Sequence, residues 1–199
     1  MTAWHTMPMD SPARTYRATY RDIENAPPGV TAEIVNGELY MHAKPVEPHI
    51  EASMGLVNAL WAPFQKGRGG PGGWWIRAES QVSFSDPDWR TVAPDLSGWR
   101  KDRVKALPTG YFDTRPDWVC EILSPSTRLY DRETKGPVYA EEGIGHFWIV
   151  DPIHRTVECL ENVNGRWLEI LKVEGEGQVS LPPFEAVSFD IGDLWLPVE

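Results

Sequence analysis

Two acidic residues lie in apolar surroundings, where a carboxylate needs a cation or hydrogen-bond donors. Glu121 lies inside the apolar run 119–123, which two prolines bracket, and a short apolar run between turn signals is typical of a strand covered on both faces. An ionised carboxylate there costs roughly several kcal/mol unless a partner compensates it. Asp95 lies in a second β-compatible run, 91–99. We therefore expect both acids to be paired with a cation or bound to a metal.

A lysine follows these acids on a segment with helical character. The pattern predicts a helix over 126–143, on which Asp131 and Lys135 are four residues apart and share one face. A surface ion pair worth a few tenths of a kcal/mol, roughly, is the alternative explanation for these two residues. Two carboxylates suit Mg²⁺, which takes one or two acidic ligands plus substrate phosphate. Together with a lysine that polarises water, they predict metal-assisted phosphodiester hydrolysis.

The order of these residues resembles the Uma-two family of bacterial restriction-endonuclease-like proteins, within the PD-(D/E)XK nuclease superfamily. The resemblance covers roughly residues 19–160 and rests on short segments in a fixed order, which are 32–39, Pro48-His49, Pro94-Asp95, 121–127, Asp131, Lys135, Tyr139, Gly143-Ile144 and 147–152. It implies an α/β fold with a restriction-endonuclease-like core, a mixed β-sheet flanked by helices, and DNA as the substrate. It also implies that Asp95 and Glu121 hold Mg²⁺ or Mn²⁺.

The same resemblance assigns a role to Lys135. In the superfamily pattern the lysine stands two residues after the acid, a position that Leu123 occupies here. The family pattern places a lysine on the following helix, and Lys135 matches it, with Tyr139 one turn later. Glu33, Glu38 and His49 are further candidates, as an added metal ligand, a base or a phosphate contact. Exposed strand acids and a packed histidine remain the alternative explanations for these three.

Turn signals and periodicity predict the remaining elements. Asn36-Gly37 and Asn164-Gly165 predict tight β-hairpins near the two ends of the chain, with strands over 32–35 and 38–42 and over 155–160 and 166–173. Helices are predicted over 19–25 and 45–65, the second with an apolar stripe formed by Ile50, Met54, Val57, Trp61 and Phe64. Strands over 74–77, 81–84 and 92–99 are expected to form an antiparallel meander, followed by a core strand over 146–150 and strand-like pieces at 187–189 and 194–196.

Composition limits the classes of function. With 199 residues we expect a flexible tail over 1–18 and one domain over 19–199. Two cysteines and the lack of a signal peptide or long apolar run predict a cytoplasmic protein outside the membrane. The net charge of −10 disfavours indiscriminate nucleic-acid binding. A local basic strip could offset it, and the candidates are Arg100, Lys101, Arg103 and Lys105. Because duplex DNA is two-fold symmetric, we expect a homodimer.

Two other functions stay open on the sequence alone. A catalytically degenerate nuclease fold could act as a binding or dimerisation module, since Leu123 occupies the usual lysine position. The ten tryptophans also suggest a carbohydrate-binding β-sandwich, because indole faces stack on sugars. The two predicted helices with apolar stripes argue against the sandwich.

Overall fold

The structure is a computed structural model and describes residues 17–197. Its α-helices are α1 (Tyr20–Glu24), α2 (Glu47–Leu60) and α3 (Gly136–Glu141), with π-helical turns at Trp61–Gln65 and Tyr130–Lys135 and a 3₁₀ turn at Ile191–Leu194. Its strands are β1 (Val30–Val35), β2 (Glu38–Ala43), β3 (Trp74–Ala78), β4 (Val82–Ser83), β5 (Arg90–Val92), β6 (Leu96–Arg100), β7 (Trp118–Ile122), β8 (His146–Asp151), β9 (Thr156–Val163), β10 (Arg166–Glu174), β11 (Gln178–Val179) and β12 (Phe189–Asp190).

A six-stranded mixed sheet forms the centre, in the order β10-β9-β8-β7-β6-β3. Strands β7 and β8 are parallel, and the other neighbours are antiparallel. A parallel pair needs a crossover connection, and here the helix that begins with the turn Tyr130–Lys135 and continues as α3 provides it. The predicted α/β class, with a mixed sheet flanked by helices, is confirmed.

The central strand β7 is buried on both faces. Trp118, Cys120 and Ile122 point into one core, which α2 and the C-terminal segment cover. Val119 and Leu123 point into the other core, which the helix after β7 and parts of the second sheet cover. Because successive strand residues alternate, Glu121 faces this second core.

A second sheet, in the order β2-β1-β5-β4, contains the N-terminal hairpin. Asn36 and Gly37 both have positive φ, as a tight turn of the predicted type requires. The predicted meander is wrong, because β3 pairs with β6 in the central sheet whereas β4 pairs with β5 in this one. The predicted strand 92–99 is also interrupted, since Pro94 has no N–H to continue a ladder. The chain changes sheets at this break.

The buried face of α2 is centred beside the predicted stripe, of which only Val57 and Phe64 pack in the core. Ala52, Leu56 and Leu60 are almost fully buried, whereas Met54 is 66% exposed and Trp61 37% exposed. Both stripes have helical spacing, so periodicity alone did not distinguish them. The π-helical turn after α2 contains Pro63, whose ring excludes the normal α-helical bond.

The C-terminal hairpin of β9 and β10 forms one edge of the central sheet, as predicted. Phe189 lies in β12, but the strand-like piece predicted at 194–196 is wrong, because the 3₁₀ turn ends at Leu194 and no strand follows it within the described chain. Residues 1–16 of the predicted tail lie outside the described residues. Ala18 is fully buried, and its main-chain N–H donates to the carbonyl of Gly37 at 2.9 Å.

Most tryptophans in the described range pack within the fold. Trp99, Trp118 and Trp148 have no exposed surface, and among the residues 17–197 only Trp61 and Trp89 are exposed, at 37% and 41%. This distribution and the α/β architecture exclude the carbohydrate-binding β-sandwich. Between residues 17 and 197, no helix has the length and apolar character needed to cross a bilayer.

Candidate active site

The site lies at the end of β7, where the chain passes from the second sheet into β6. Leu96 of β6 pairs with Cys120 of β7, so the same antiparallel register places Asp95 opposite Glu121. Residues directly opposite in such a pair have Cβ atoms roughly 5 Å apart. The main-chain N–H of Ile122 donates to Oδ2 of Asp95 at 2.7 Å. The break at Pro94 therefore brings two carboxylates together at a sheet end.

Glu121 is buried, with 1% of its surface exposed. Its Oε1 accepts from Nζ of Lys135 at 2.7 Å and from the hydroxyl of Tyr139. Burial raises the pKa of Glu121 well above its ordinary value, and Lys135 opposes this shift whereas Asp95 and Glu33 add to it. Burial and the Glu121 carboxylate raise the pKa of Tyr139, so its hydroxyl remains a donor.

Lys135 links two elements of the fold. Its Nζ lies 2.7 Å from Glu121 of β7 and 3.0 Å from Oε1 of Glu33, which is on β1. Burial alone lowers the pKa of this ammonium, but Glu121 and Glu33 raise it well above the ordinary value. The same Glu33 oxygen accepts the main-chain N–H of Ala93 at 2.6 Å. Lys135 is therefore a charged hydrogen-bond donor at neutral pH.

His49 approaches Asp95 from the first turn of α2. Its Nε2 lies 3.1 Å from Oδ1 of Asp95, and both side chains are largely buried. Burial lowers the pKa of His49, but the bond to Asp95 and the charges of Asp95 and Asp131 raise it overall. The imidazole therefore orients the Asp95 carboxylate.

Asp131 is the fourth acid of this group and is 5% exposed. Burial raises its pKa from 3.8 to about 6, against the opposing effects of Lys135 and a hydrogen bond from Thr127. The π-helical turn closes with a bond from the N–H of Gly136 to the carbonyl of Asp131. This wider turn places Asp131 and Lys135 on the wall of the same cavity, which excludes the surface ion pair as an explanation.

That cavity has a volume of about 250 Å³ and is open to solvent, and its lining includes Glu33, His49, Asp95, Glu121, Asp131 and Lys135. Its acidic lining residues are four carboxylates, and its basic ones are Lys135, Lys44, which is paired with Glu79, and the histidines His42 and His49, so negative charge is in excess. Within residues 17–197, no three His, Cys, Asp or Glu side chains form a ready-made metal cage. A pair of carboxylates with an excess of negative charge nevertheless fits Mg²⁺ or Mn²⁺ when substrate phosphate and water complete the ligand shell.

The sequence also matches a known family across the whole described range. The Uma2 family, described as "Putative restriction endonuclease", matches residues 17–197. The chain belongs to the Uma2 family. A solved structure from Anabaena variabilis ATCC 29413, titled as a putative nuclease belonging to DUF820, has a TM-score of 0.68 and 21% identity over 88% of this chain and 96% of that chain. No curated protein matches the sequence.

In this Uma2 protein, seven of the eight predicted site residues lie together. They are Glu33, His49, Asp95, Glu121, Asp131, Lys135 and Tyr139. Glu38 does not belong to the group, because it is exposed on β2 and accepts a hydrogen bond from Tyr40. Leu123, in the usual lysine position, is 1% exposed within the second core. The ammonium beside Glu121 therefore belongs to Lys135 and not to residue 123.

Several residues of the cavity lining were missed in the sequence, and two of them have rings in contact. Tyr130 and His42 line it, with ring centroids 4.5 Å apart. Burial lowers the pKa of His42, which favours the neutral ring. The only local signal was the alternation of Tyr40 and His42 along β2, which indicates one shared strand face but not a cavity.

Proposed function

We propose that this protein is an Mg²⁺- or Mn²⁺-dependent endonuclease that hydrolyses phosphodiester bonds in DNA. The observation that carries the proposal is the position of Lys135, whose ammonium lies 2.7 Å from Glu121 although it comes from a helix. A strand acid, a neighbouring acid and a charged lysine then stand together at one cavity, as the superfamily chemistry requires. Family membership and the shared fold support this assignment.

Asp95 and Glu121 would hold the divalent ion. When bound, that ion would neutralise charge on the scissile phosphate and polarise its oxygens. His49 and the N–H of Ile122 each contact one oxygen of Asp95, so the carboxylate is fixed in orientation. Tyr139 and Lys135 do the same for Glu121. Such preorganisation is the main contribution a protein makes at a phosphoryl centre.

Lys135 orients the attacking water and does not deprotonate it. An ammonium has three donors, and the contacts with Glu33 and Glu121 use two of them. The third donor is available to a water in the cavity that Lys135 lines. Because its pKa is raised, Lys135 has no free lone pair near neutral pH.

Asp131 is the group suited to accept the proton of that water. A general base works best when its pKa is near the working pH, and Asp131 has a pKa of about 6. It lines the same cavity as Lys135. Its carboxylate is therefore available at neutral pH while it remains basic enough to take a proton.

Cleavage of supercoiled plasmid in Mn²⁺ tests this proposal, with Asp95→Asn, Glu121→Gln and Asp131→Asn beside the wild type. We expect nicked and linear products from the wild type alone. Titration of Mn²⁺ by calorimetry should show binding that Asp95→Asn removes. Metal binding without cleavage of any DNA would instead favour the degenerate fold that binds a partner.

We also propose that the protein acts as a homodimer, because two copies related by a two-fold axis can address both strands of a duplex. Sedimentation velocity with and without a duplex tests this assembly. A monomer in both conditions would contradict it.

A further inference from the structure

Five basic side chains of the described residues lie on or near the edge strand β3 and have no ion-pair partner. We define the edge patch as Lys66, Arg68, Arg77, Arg100 and Lys101. Lys66, Arg68 and Arg100 are exposed, and Arg77 and Lys101 are partly exposed. Within residues 17–197, none of the five charged groups has a carboxylate oxygen within 4.0 Å, although the main-chain N–H of Arg100 donates to Oδ2 of Asp117 at 2.7 Å. In a protein with a net charge of −10, this concentration of unpaired positive charge is unexpected.

Shared contacts hold two members of the patch, Arg77 and Lys101, together. Nζ of Lys101 donates to the carbonyl of Gln65 at 2.6 Å, and the guanidinium of Arg77 donates to Oε1 of the same residue at 2.6 Å. Both cations lie over the ring of Trp75, at 5.6 Å for Arg77 and 4.5 Å for Lys101. Their side chains are thus held in place without any neutralising acid.

The other members of the patch surround this centre. Lys66 follows Gln65 directly and lies over Trp61 at 4.7 Å. Arg100 lies over Trp74 at 4.1 Å, and Arg68 is in the same glycine-rich loop as Lys66. Aromatic rings beneath a cation hold it without cancelling its charge. The patch therefore keeps its positive potential at the surface.

The predicted basic strip is only partly realised. Arg100 and Lys101 belong to the patch, but Arg103 is paired with Asp117 at 3.0 Å. The strip lies at the end of β6 opposite to Asp95. The unpaired basic residues therefore lie along the outer strand β3 and do not form the predicted strip that follows Asp95 in sequence.

Strand register connects the edge patch to the candidate active site. Arg77 pairs with Ser97, and the N–H of Glu79 bonds to the carbonyl of Asp95 at 3.1 Å. Along the strand direction, Arg77 is therefore two residues, or about 7 Å, from Asp95. Lys101 lies about 20 Å from Asp95 along β6, which corresponds to roughly six base-pair steps of a duplex. Because β3 ends the sheet, a long polyanion can lie along this edge.

We infer that the edge patch binds the phosphate backbone of duplex DNA and leads one strand toward the cavity at Asp95 and Glu121. Glu79, the acid at the cavity end of this path, is paired with Lys44. Asp102 is the acid nearest in sequence to Lys101. That the polyanion is DNA rests on the proposed function. The patch residues would hold this DNA outside the cavity.

The test is equilibrium binding of a labelled DNA duplex of about two helical turns, measured by fluorescence anisotropy in EDTA over a series of KCl concentrations. Each phosphate contact contributes about −0.9 to the slope of log affinity against log salt. Lys66→Gln/Arg68→Gln should therefore reduce the magnitude of this slope by about 2. Arg21→Gln/Arg166→Gln is the matched control, because both arginines are exposed outside the patch, and it should leave the slope unchanged.

Calorimetric Mn²⁺ binding by the patch variant should match the wild type, which shows that the fold and the carboxylates are intact. An unchanged salt slope in the patch variant, or a wild type that does not bind the duplex in EDTA, overturns the inference. These outcomes are separate from the proposed function, because binding is measured without cleavage. A wild type that binds through the patch but never cuts would refute the endonuclease alone.

Discussion

Replacement of Asp131 by asparagine should stabilise the protein and abolish its activity. Asp131 is 5% exposed, and burial raises its pKa from 3.8 to about 6. A shift of that size corresponds to about 3 kcal/mol of free energy spent on keeping the folded carboxylate charged at pH 7. Asparagine has almost the same shape and no charge, and it can still accept the hydrogen bond from Thr127.

The sign of this effect depends on pH in a defined way. The folded state binds the Asp131 proton more tightly than the unfolded state, so wild-type stability falls as pH rises from 3.8 through 6. Below 3.8 both states are protonated and the penalty is absent. The advantage of Asp131→Asn should therefore be full at pH 7 and vanish in acid.

Urea unfolding of both proteins at pH 7 and below pH 3.8 measures this difference. At pH 7 we expect a gain approaching 3 kcal/mol, or a rise in melting temperature of roughly 6 to 12 °C for a chain of this size. Asp151→Asn is a matched control with opposite sign. Asp151 is also buried, but hydrogen bonds from His154 and Arg128 outweigh burial and lower its pKa.

Loss of stability in Asp131→Asn at pH 7, like that expected of Asp151→Asn, would refute the argument. A gain that persists in acid would also refute it, because packing rather than ionisation would then be the cause. If Asp131→Asn is more stable and no longer cleaves plasmid, the Asp131 carboxylate lowers the stability of the fold and is required for activity.

Three further changes test the polar network. Lys135→Met leaves Glu33 and Glu121 without their cation and should lower the free energy of unfolding in urea by about 3 to 5 kcal/mol. Adding Glu121→Gln should recover part of that loss, and strictly additive effects of the two changes would contradict the shared contact. Tyr139→Phe removes the donor to Glu121 and should cost about 1 to 3 kcal/mol, with no loss indicating that the hydroxyl is dispensable. His49→Gln should lower stability most below the ordinary pKa of 6.5, and the difference should fade as pH rises through the raised folded pKa; a loss independent of pH would contradict the charged pair.

Local chemistry made part of the fold predictable. Both Asn-Gly turns form where they were expected, and Asn36 and Asn164 have the positive φ that these turns require. The strand around Glu121 was predictable because an apolar run between prolines has few alternatives. Helix α2 was found, but its buried face was not, since two apolar stripes share the same spacing and only contact with the sheet selects one.

The candidate site was predictable in its residue types and not in its geometry. The sequence left Glu33 open as a site residue or an exposed strand acid, and it becomes the second partner of Lys135 because the two sheets meet at the cavity. The sequence pattern places Asp95 within a strand, but in the structure Asp95 follows an interruption of that strand at Pro94, which the hydrophobic pattern does not indicate. These contacts depend on long-range packing, which a pattern within one segment does not contain.

The position of Lys135 explains how the site can depart from the superfamily sequence and keep its charge distribution. Leu123 follows Glu121 by two residues on the same face of β7, where it packs in the second core with Val138. A lysine there would have to bury its ammonium among apolar side chains unless it reached the cavity. Lys135 enters from the helix, between Glu33 and Glu121, and is neutralised by both. The constraint is therefore one of position in space, because the field at Glu121 depends on where the ammonium lies and not on which element carries it.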